Sequence, residues 1–168
     1  MVTILGIDPG TAAIGYGLVK TKIPFGEVSL VDYGAIITSA EREASFRLRL
    51  VEKNLLKIVR RYQPDILAIE SLYFFQNQKS VMSVSQTKGV ILLVAEKTQT
   101  PVYEFSPLEI KQALTGYGRA EKEEIQEAVR QILRLEQKPQ PDHAADALGA
   151  SLCFLSKNQW LRIKNSPY

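Results

Sequence analysis

The segments VTILGID, residues Val2–Asp8, and ILAIE, residues Ile66–Glu70, each run through apolar side chains and end in a carboxylic acid. Short, fully apolar runs of this kind are typical of strands that are buried in a sheet. Ligands of open α/β sheets bind at the carboxyl ends of such strands. The two segments therefore predict buried strands that place Asp8 and Glu70 where a metal or another ligand would bind.

The rest of the sequence pattern predicts a mixed α/β fold. Alternating apolar residues and short turns predict antiparallel strands over 2–8, 14–20 and 28–37. The predicted helices cover 43–62, 80–98, 107–114, 122–133 and 142–157, and two further strands cover 66–70 and 102–105. A right-handed crossover would lay strand 66–70 beside strand 2–8, which brings Asp8 and Glu70 together.

These elements describe a chain with a single core. A chain of 168 residues is long enough to bury a substantial part of its surface. We expect a five-stranded sheet, three antiparallel strands followed by two parallel ones, flanked by helices. The expected domain covers residues 1–157, and the expected frayed tail covers 158–168.

Charge and composition leave several classes of partner open. The net charge is +3 and the pI is near 8.9, so a nucleic-acid partner is permitted but not required. The single cysteine excludes an internal disulfide and fits a reducing compartment. No signal-peptide pattern is present, and the longest apolar run, residues 90–95, is too short to span a bilayer. We therefore expect a cytoplasmic protein that does not contact a membrane.

A third acid, Asp146, lies among small apolar residues in the segment DHAADAL, residues 142–148. A charge on a helix that is apolar on all sides must be paired, protonated or bound to a metal. His143 precedes Asp146 by three residues, so the two share one face of a helix. Oxygen ligands suit Mg²⁺, and two such ions about 4 Å apart can act together on a phosphodiester, with Asp8 bridging them.

Each of these residues also has a purely structural interpretation. Asp8 can begin an Asp-Pro-Gly turn, Glu70 can be a solvated loop acid, and His143 can be a polar residue in a first helical turn. Such interpretations explain the residues one at a time, whereas a divalent-metal site explains them together. Asp146 favours the metal site even when it is considered alone.

Several motifs occur in the order and at the separations of a known protein family. They are GIDPG at 6–10, AIE at 68–70, KQAL at 111–114 followed by Gly116, Gly118, Lys122 and Glu123, and HAADAL at 143–148. With these motifs the chain resembles the RuvC family of bacterial Holliday-junction resolvases over almost its whole length.

The resemblance implies an RNase H-like fold and a homodimer that makes paired, Mg²⁺-dependent nicks in a four-way DNA junction during recombination and repair. The catalytic and metal-binding residues that it implies are Asp8, Glu70, His143 and Asp146. It further implies two Mg²⁺ ions per site, with Mn²⁺ as a substitute, and cooperation with a branch-migration motor. Some family members have aspartate at the position of His143, so this residue is either a ligand or a proton carrier, and Asp142 is an alternative ligand.

Aromatic and basic residues near these motifs are candidates for DNA contact. Tyr73 and Phe74 precede a polar stretch and are predicted to stack on bases, with Tyr73 the first candidate by resemblance. Packing at the entry of the next helix is the alternative for these rings. The candidates for phosphate contact are Lys111, Arg119 and Lys122, for which a solvated helix surface is the alternative.

Other functions and the expected assembly also follow from these residues. An RNase H-like nuclease acting on RNA or on another branched DNA would use the same acids, and a non-catalytic junction-binding protein would not need them. A nucleotide-binding protein of the sugar-kinase or actin type shares the Asp-Pro-Gly-Thr turn but needs a second, duplicated domain.

Helix 80–98 is apolar on more than one side, which predicts packing against a second subunit.

Overall fold

The two acid-ended strands lie side by side within a five-stranded sheet. A computed structural model describes residues 1–22, 27–71 and 78–160. The strands are β1 (Val2–Asp8), β2 (Ala13–Thr21), β3 (Ser29–Ile37), β4 (Ile66–Glu70) and β5 (Val102–Phe105). The helices are α1 (Ala44–Tyr62), α2 (Gln78–Lys97), α3 (Pro107–Thr115), α4 (Lys122–Ile132) and α5 (Asp142–Lys157).

The sheet has the predicted mixed topology. Its strand order is β3-β2-β1-β4-β5. The first three strands are antiparallel, and β4 and β5 continue the sheet in parallel from β1. Ile7 of β1 is paired with Ile69 of β4, so the acids that follow them leave the sheet side by side. The predicted fold class and crossover are therefore confirmed.

Helices cover both faces of this sheet and divide the core in two. Leu148 and Phe154 of α5 pack with residues of α3 and α4 on one face. Leu55 of α1 and Ile91 of α2 pack on the other face. Because side chains alternate along a strand, β1 contributes to both layers. The packing of α5 on the sheet therefore sets the positions of His143 and Asp146, the two site candidates on this helix.

Helix α5 approaches the strands so closely that only glycine fits beneath it. A Cβ atom on Gly6 would lie 1.8 Å from the carbonyl oxygen of Ala147, and one on Gly15 would lie 1.9 Å from that of His143. The buried Ser151 hydroxyl donates to the carbonyl of Gly17 at 3.0 Å. These contacts join helix backbone to strand backbone and hold the first turn of α5 over the end of β1.

Local capping explains where several elements begin and end. The Ser106 hydroxyl accepts from the Glu109 amide at 3.2 Å, and the Glu109 carboxylate accepts from the Ser106 amide at 2.8 Å. These two bonds form the capping box of α3. Helix α4 ends at Ile132, one residue before its predicted end, and Leu133 is its C-cap residue. Such shifts of one or two residues are ordinary at element ends.

The end of the described chain packs onto α5. The Trp160 amide donates to the Leu155 carbonyl at 2.9 Å, and its ring meets Phe154 edge-on at 5.5 Å. Residues 158–160 of the predicted tail are therefore held by contacts, residues 161–168 lie outside the described residues, and the domain boundary at 157 stays a prediction. No helix in the described ranges is both long and apolar enough to cross a membrane.

We predict that Gly15→Ala destabilises the protein because its methyl group would collide with a main-chain oxygen that cannot rotate away. The expected loss is about 1–3 kcal/mol of unfolding free energy, as for other overpacked sites. Gly89→Ala is the matched control, since a Cβ there meets nothing within 4 Å. Urea unfolding followed by circular dichroism measures both variants, and equal stabilities would contradict the proposed backbone contact.

Candidate metal centre

Three separate parts of the chain meet in one open cleft at the sheet edge. Asp8 ends β1, Glu70 ends β4, and His143 and Asp146 lie in the first turns of α5. The cleft has a volume of about 360 Å³, and its other lining residues are Pro9, Ser71 and Pro107. All four predicted site residues thus line the same cleft.

Three of the four residues form a tighter cluster. Asp8, His143 and Asp146 offer ligand atoms that all lie within 4.8 Å of one another. His143 Nδ1 lies 2.7 Å from the Asp8 carboxylate. An ionised carboxylate only accepts hydrogen bonds, so Nδ1 carries the proton and donates to Asp8. When the ring is neutral, its Nε2 is then left with a free lone pair.

The acids of the cleft disfavour one another's ionisation. Burial, and then the charges of Asp8 and Asp146, raise the pKa of Glu70 to about 8. Burial raises the pKa of Asp8, against the lowering effect of its hydrogen bond from His143. Burial and the charge of Asp8 likewise raise the pKa of Asp146. The site therefore concentrates more negative charge than its protein surroundings balance.

The positive charge of Lys122, at the start of α4, offsets part of this negative charge. Its ammonium group lies 3.0 Å from the Asp142 carboxylate and 4.0 Å from that of Asp146. The Gln126 amide also donates to Asp142 at 3.1 Å. The hydrogen bond from Lys122 is the main reason that the pKa of Asp142 is lowered. Asp142, the alternative ligand by sequence, is thus directed toward Lys122 and Gln126.

The other DNA-contact candidates differ in how the structure places them. Burial and like charge raise the pKa of Glu70, and the positive charge of Lys111 acts against them, so Lys111 lies close enough to Glu70 for its charge to be felt there. Arg119 is exposed on the loop between α3 and α4. Tyr73 and Phe74 lie outside the described residues. Their contacts with DNA stay predictions.

Pro107 and Ser71 line the cleft although neither was a sequence candidate. The Ser71 amide donates to the Phe105 carbonyl at 2.8 Å, which brings the end of β4 against the start of α3. The Ser-Pro pair at 106–107 marks a helix start in the sequence. Only the parallel pairing of β4 with β5 places that helix start beside the acids.

The donor set fits a hard divalent cation. Carboxylate oxygens are the ligands that Mg²⁺ prefers, and Asp8 and Asp146 present them within 4.8 Å of each other. Burial and then repulsion between the acids raise the pKa values of Glu70 and Asp146, and a bound cation would favour their ionised forms. Asp8, Asp146, His143 and Glu70 are therefore the residues that would hold it.

Comparison with known proteins agrees with the geometry of the cleft. The model of the family described as "Crossover junction endodeoxyribonuclease RuvC" matches residues 4–154. The chain belongs to the RuvC family. A relative from Petrotoga mobilis, named crossover junction endodeoxyribonuclease RuvC, is 48% identical over 168 residues, which are 99% of this chain and 100% of that protein.

Solved structures place the RuvC-family chain among proteins of the expected fold. Thermus thermophilus RuvC superposes with a TM-score of 0.86 at 31% identity, covering 95% of this chain and 98% of that one. The same RuvC in complex with a Holliday junction substrate superposes with a TM-score of 0.89 at 32% identity, covering 95% and 96%. The expected RNase H-like fold is therefore confirmed.

We predict that Glu70→Gln stabilises the metal-free protein more strongly at alkaline than at acidic pH. The folded-state pKa of Glu70, about 8, lies above the ordinary value of 4.5, so its contribution to stability is complete below pH 4.5 and is lost as pH rises through 8. A glutamine does not ionise and escapes that loss. The relative gain between about pH 5 and pH 9 should be on the order of 4 kcal/mol, because each pKa unit corresponds to about 1.4 kcal/mol.

Urea unfolding in EDTA at the two pH values measures this gain. Glu123→Gln, at an exposed acid in the first turn of α4, is the matched control and should show no such pH dependence. Adding Mg²⁺ should stabilise the parent more than Glu70→Gln, because only the parent keeps the full set of acids. A stability difference that is constant across this pH range would refute the raised pKa.

Proposed function

We propose that this RuvC-family chain resolves four-way DNA junctions by paired, symmetric hydrolysis of phosphodiester bonds in recombination and repair. The observation that carries the proposal is the cluster of Asp8, His143 and Asp146, with Glu70 in the same cleft. The named activity of its relatives, and a RuvC with 32% identity bound to a Holliday junction, support the choice of substrate. The ends left by such nicks could be ligated.

Mg²⁺ is the proposed cofactor, with two ions per site and Mn²⁺ as a substitute. Asp8, Glu70, His143 and Asp146 would hold the ions, with Asp8 central because it contacts His143 and repels both other acids. When bound, a pair of divalent cations polarises the phosphodiester, favours ionisation of water and stabilises the leaving oxygen.

His143 is positioned to accept a proton from water. Its Nδ1–H is directed to Asp8 at 2.7 Å, which fixes the ring and the tautomer. The opposite nitrogen, Nε2, can then accept a proton from an attacking water. The His143 side chain is 46% exposed, so solvent reaches the imidazole in the cleft. In this role His143 is a proton carrier, and as a metal ligand it would use the same nitrogen.

The basic side chains around the cleft would orient the DNA. Lys122 lies close enough to Asp142 and Asp146 to exchange a carboxylate partner for a phosphate oxygen. Lys111 contributes positive charge on the Glu70 side, and Arg119 is exposed on the loop between them. Phosphate contacts fix the register of a nucleic acid without reading its sequence. Base stacking by Tyr73 and Phe74 remains part of the proposal.

A homodimer would provide one cleft for each of the two nicks. Helix α2 exposes apolar side chains that a second subunit could cover, with Leu92 39%, Leu93 48% and Met82 71% exposed. A two-fold interface uses the same patch on both subunits and matches the two-fold symmetry of a junction. A cytoplasmic location and cooperation with a branch-migration motor are further expectations from the family.

We predict that Asp8→Asn abolishes junction cleavage while leaving the fold intact. Loss of the central ligand should reduce the rate about 100-fold or more. Asp142→Asn is the matched control, since it makes the same change on α5 at a carboxylate that faces Lys122. Single-turnover nicking of a mobile four-way junction in Mg²⁺ measures both variants beside the parent, with linear duplex and RNA as comparison substrates.

Three results would overturn parts of the proposal. Full activity of Asp8→Asn would remove the metal centre from the mechanism. Equal cleavage of junction, linear duplex and RNA would indicate a general RNase H-like nuclease. Junction binding without cleavage in either Mg²⁺ or Mn²⁺ would indicate a non-catalytic junction-binding protein.

The proposed dimer interface on α2 can be tested separately from cleavage. Leu93→Glu places a charge in the exposed apolar patch of α2 and should convert a dimer to a monomer in sedimentation velocity, because an unpaired charge is costly at an apolar interface. Ile37→Glu is the control, since Ile37 is also exposed, at 64%, but lies on β3. A parent that sediments only as a monomer, with and without junction DNA, would contradict the dimer.

A further inference from the structure

Helix α1 carries an exposed basic stripe on the sheet face opposite α5. The stripe consists of Arg49, Lys53, Lys57 and Arg60, and all four side chains are exposed. With 3.6 residues per turn, these positions fall within a sector of about 80° and extend about 17 Å along the helix. The opposite side of the helix supplies the core residues Val51, Leu55 and Val59.

The charge of this stripe is not balanced by neighbouring acids. The acid within this part of α1, Glu52, is bonded to Lys97 of α2 at 2.5 Å. Among the described residues, no carboxylate forms an ion pair with any of the four stripe cations. Four uncompensated charges in this small sector repel one another, so the stripe suits a ligand with regularly spaced negative charge.

An exposed aromatic ring stands at the cleft end of the stripe. Phe46 is 39% exposed, and the guanidinium carbons of Arg42 and Arg49 lie 5.5 Å and 5.3 Å from its ring centroid. Phe46 is the large apolar side chain that α1 exposes. A protein interface of ordinary composition has a more apolar centre than this surface provides. The composition favours a nucleic-acid backbone over a protein partner.

The beginning of α1 is tied to the same sheet edge as the cleft. The Thr38 amide, just before α1, donates to the Ala12 carbonyl at 2.8 Å in the turn that follows Asp8. Arg47 of α1 donates to the Thr38 hydroxyl at 3.2 Å and also to the Thr11 carbonyl. The stripe therefore begins at the sheet edge that holds the metal centre and leads away from that edge.

We propose that the α1 stripe, Arg49, Lys53, Lys57 and Arg60, binds the phosphate backbone of a duplex arm away from the cleavage site. The inference rests on the proposed function for the identity of the DNA as a junction arm. Duplex DNA carries one negative charge per about 1.7 Å of axis, so the stripe matches about five base pairs. It adds a binding surface that is separate from Lys111, Arg119 and Lys122.

The test compares two triple variants with equal loss of charge in an Asp8→Asn background that prevents cleavage. R49Q/K53Q/R60Q removes three stripe cations, and K22Q/R134Q/K138Q removes three cations outside the stripe. Fluorescence anisotropy in EDTA measures affinity for a junction with arms of about 25 base pairs, and for a linear duplex of about 25 base pairs, between about 50 and 200 mM salt.

On this junction, R49Q/K53Q/R60Q should flatten the slope of log affinity against log salt by about 1.8–2.7, because it removes two to three phosphate contacts and each contributes about 0.9. The fall in affinity over this fourfold salt range should then be about 10- to 40-fold smaller than for the background protein. K22Q/R134Q/K138Q should keep the slope of the background protein.

Equal slopes for the two triple variants on this junction would overturn the inference. Failure of the proposed function would appear differently, as equal affinity of the background protein for junction and linear duplex. In that case the slopes of the two variants on linear duplex still decide whether the stripe binds DNA.

Discussion

The contact between the backbone of α5 and the backbone of β1 and β2 is the constraint on which the cleft depends. Gly6 and Gly15 remove the side chains that would hold the helix away, and the Ser151 hydroxyl joins the helix to Gly17. A main-chain contact leaves little freedom for sliding or tilting because neither partner has rotamers to adjust. His143 is thereby held 2.7 Å from Asp8, although the two residues are 135 positions apart in the chain.

The packing of α5 on the sheet brings three acids together and thereby lowers the stability of the metal-free fold. Burial and mutual repulsion raise the pKa values of Asp8, Glu70 and Asp146, and the described cations nearby, Lys111 and Lys122, offset only part of that repulsion. The packing of α5, which is buried along almost its whole length, offsets this electrostatic cost. A site that is unfavourable to the apo fold is favourable to a cation, since binding a ligand to the folded state alone stabilises that state.

The elements and the pairing of Asp8 with Glu70 could be predicted because they follow from local patterns and one topological rule. Apolar runs define β1 and β4, and right-handed crossover places them side by side. The partner of Asp142 could not be predicted in this way, since Lys122 reaches it from another helix. Pro107 likewise gains its position only from the pairing of β4 and β5. The basic residues of α1 were visible in sequence, but not their lack of acidic partners or their position relative to the cleft.

By itself the sequence determined the strands and helices, the acids at two strand ends and the motifs of the RuvC family. Those features depend on residue type and short-range spacing, which a linear pattern contains. The tertiary structure alone decided that His143 bonds to Asp8, that Asp142 turns to Lys122, and that α1 presents its cations from the edge that holds the cleft. Distances between remote residues depend on how closely helices pack on the sheet, and that packing is set by the whole core at once.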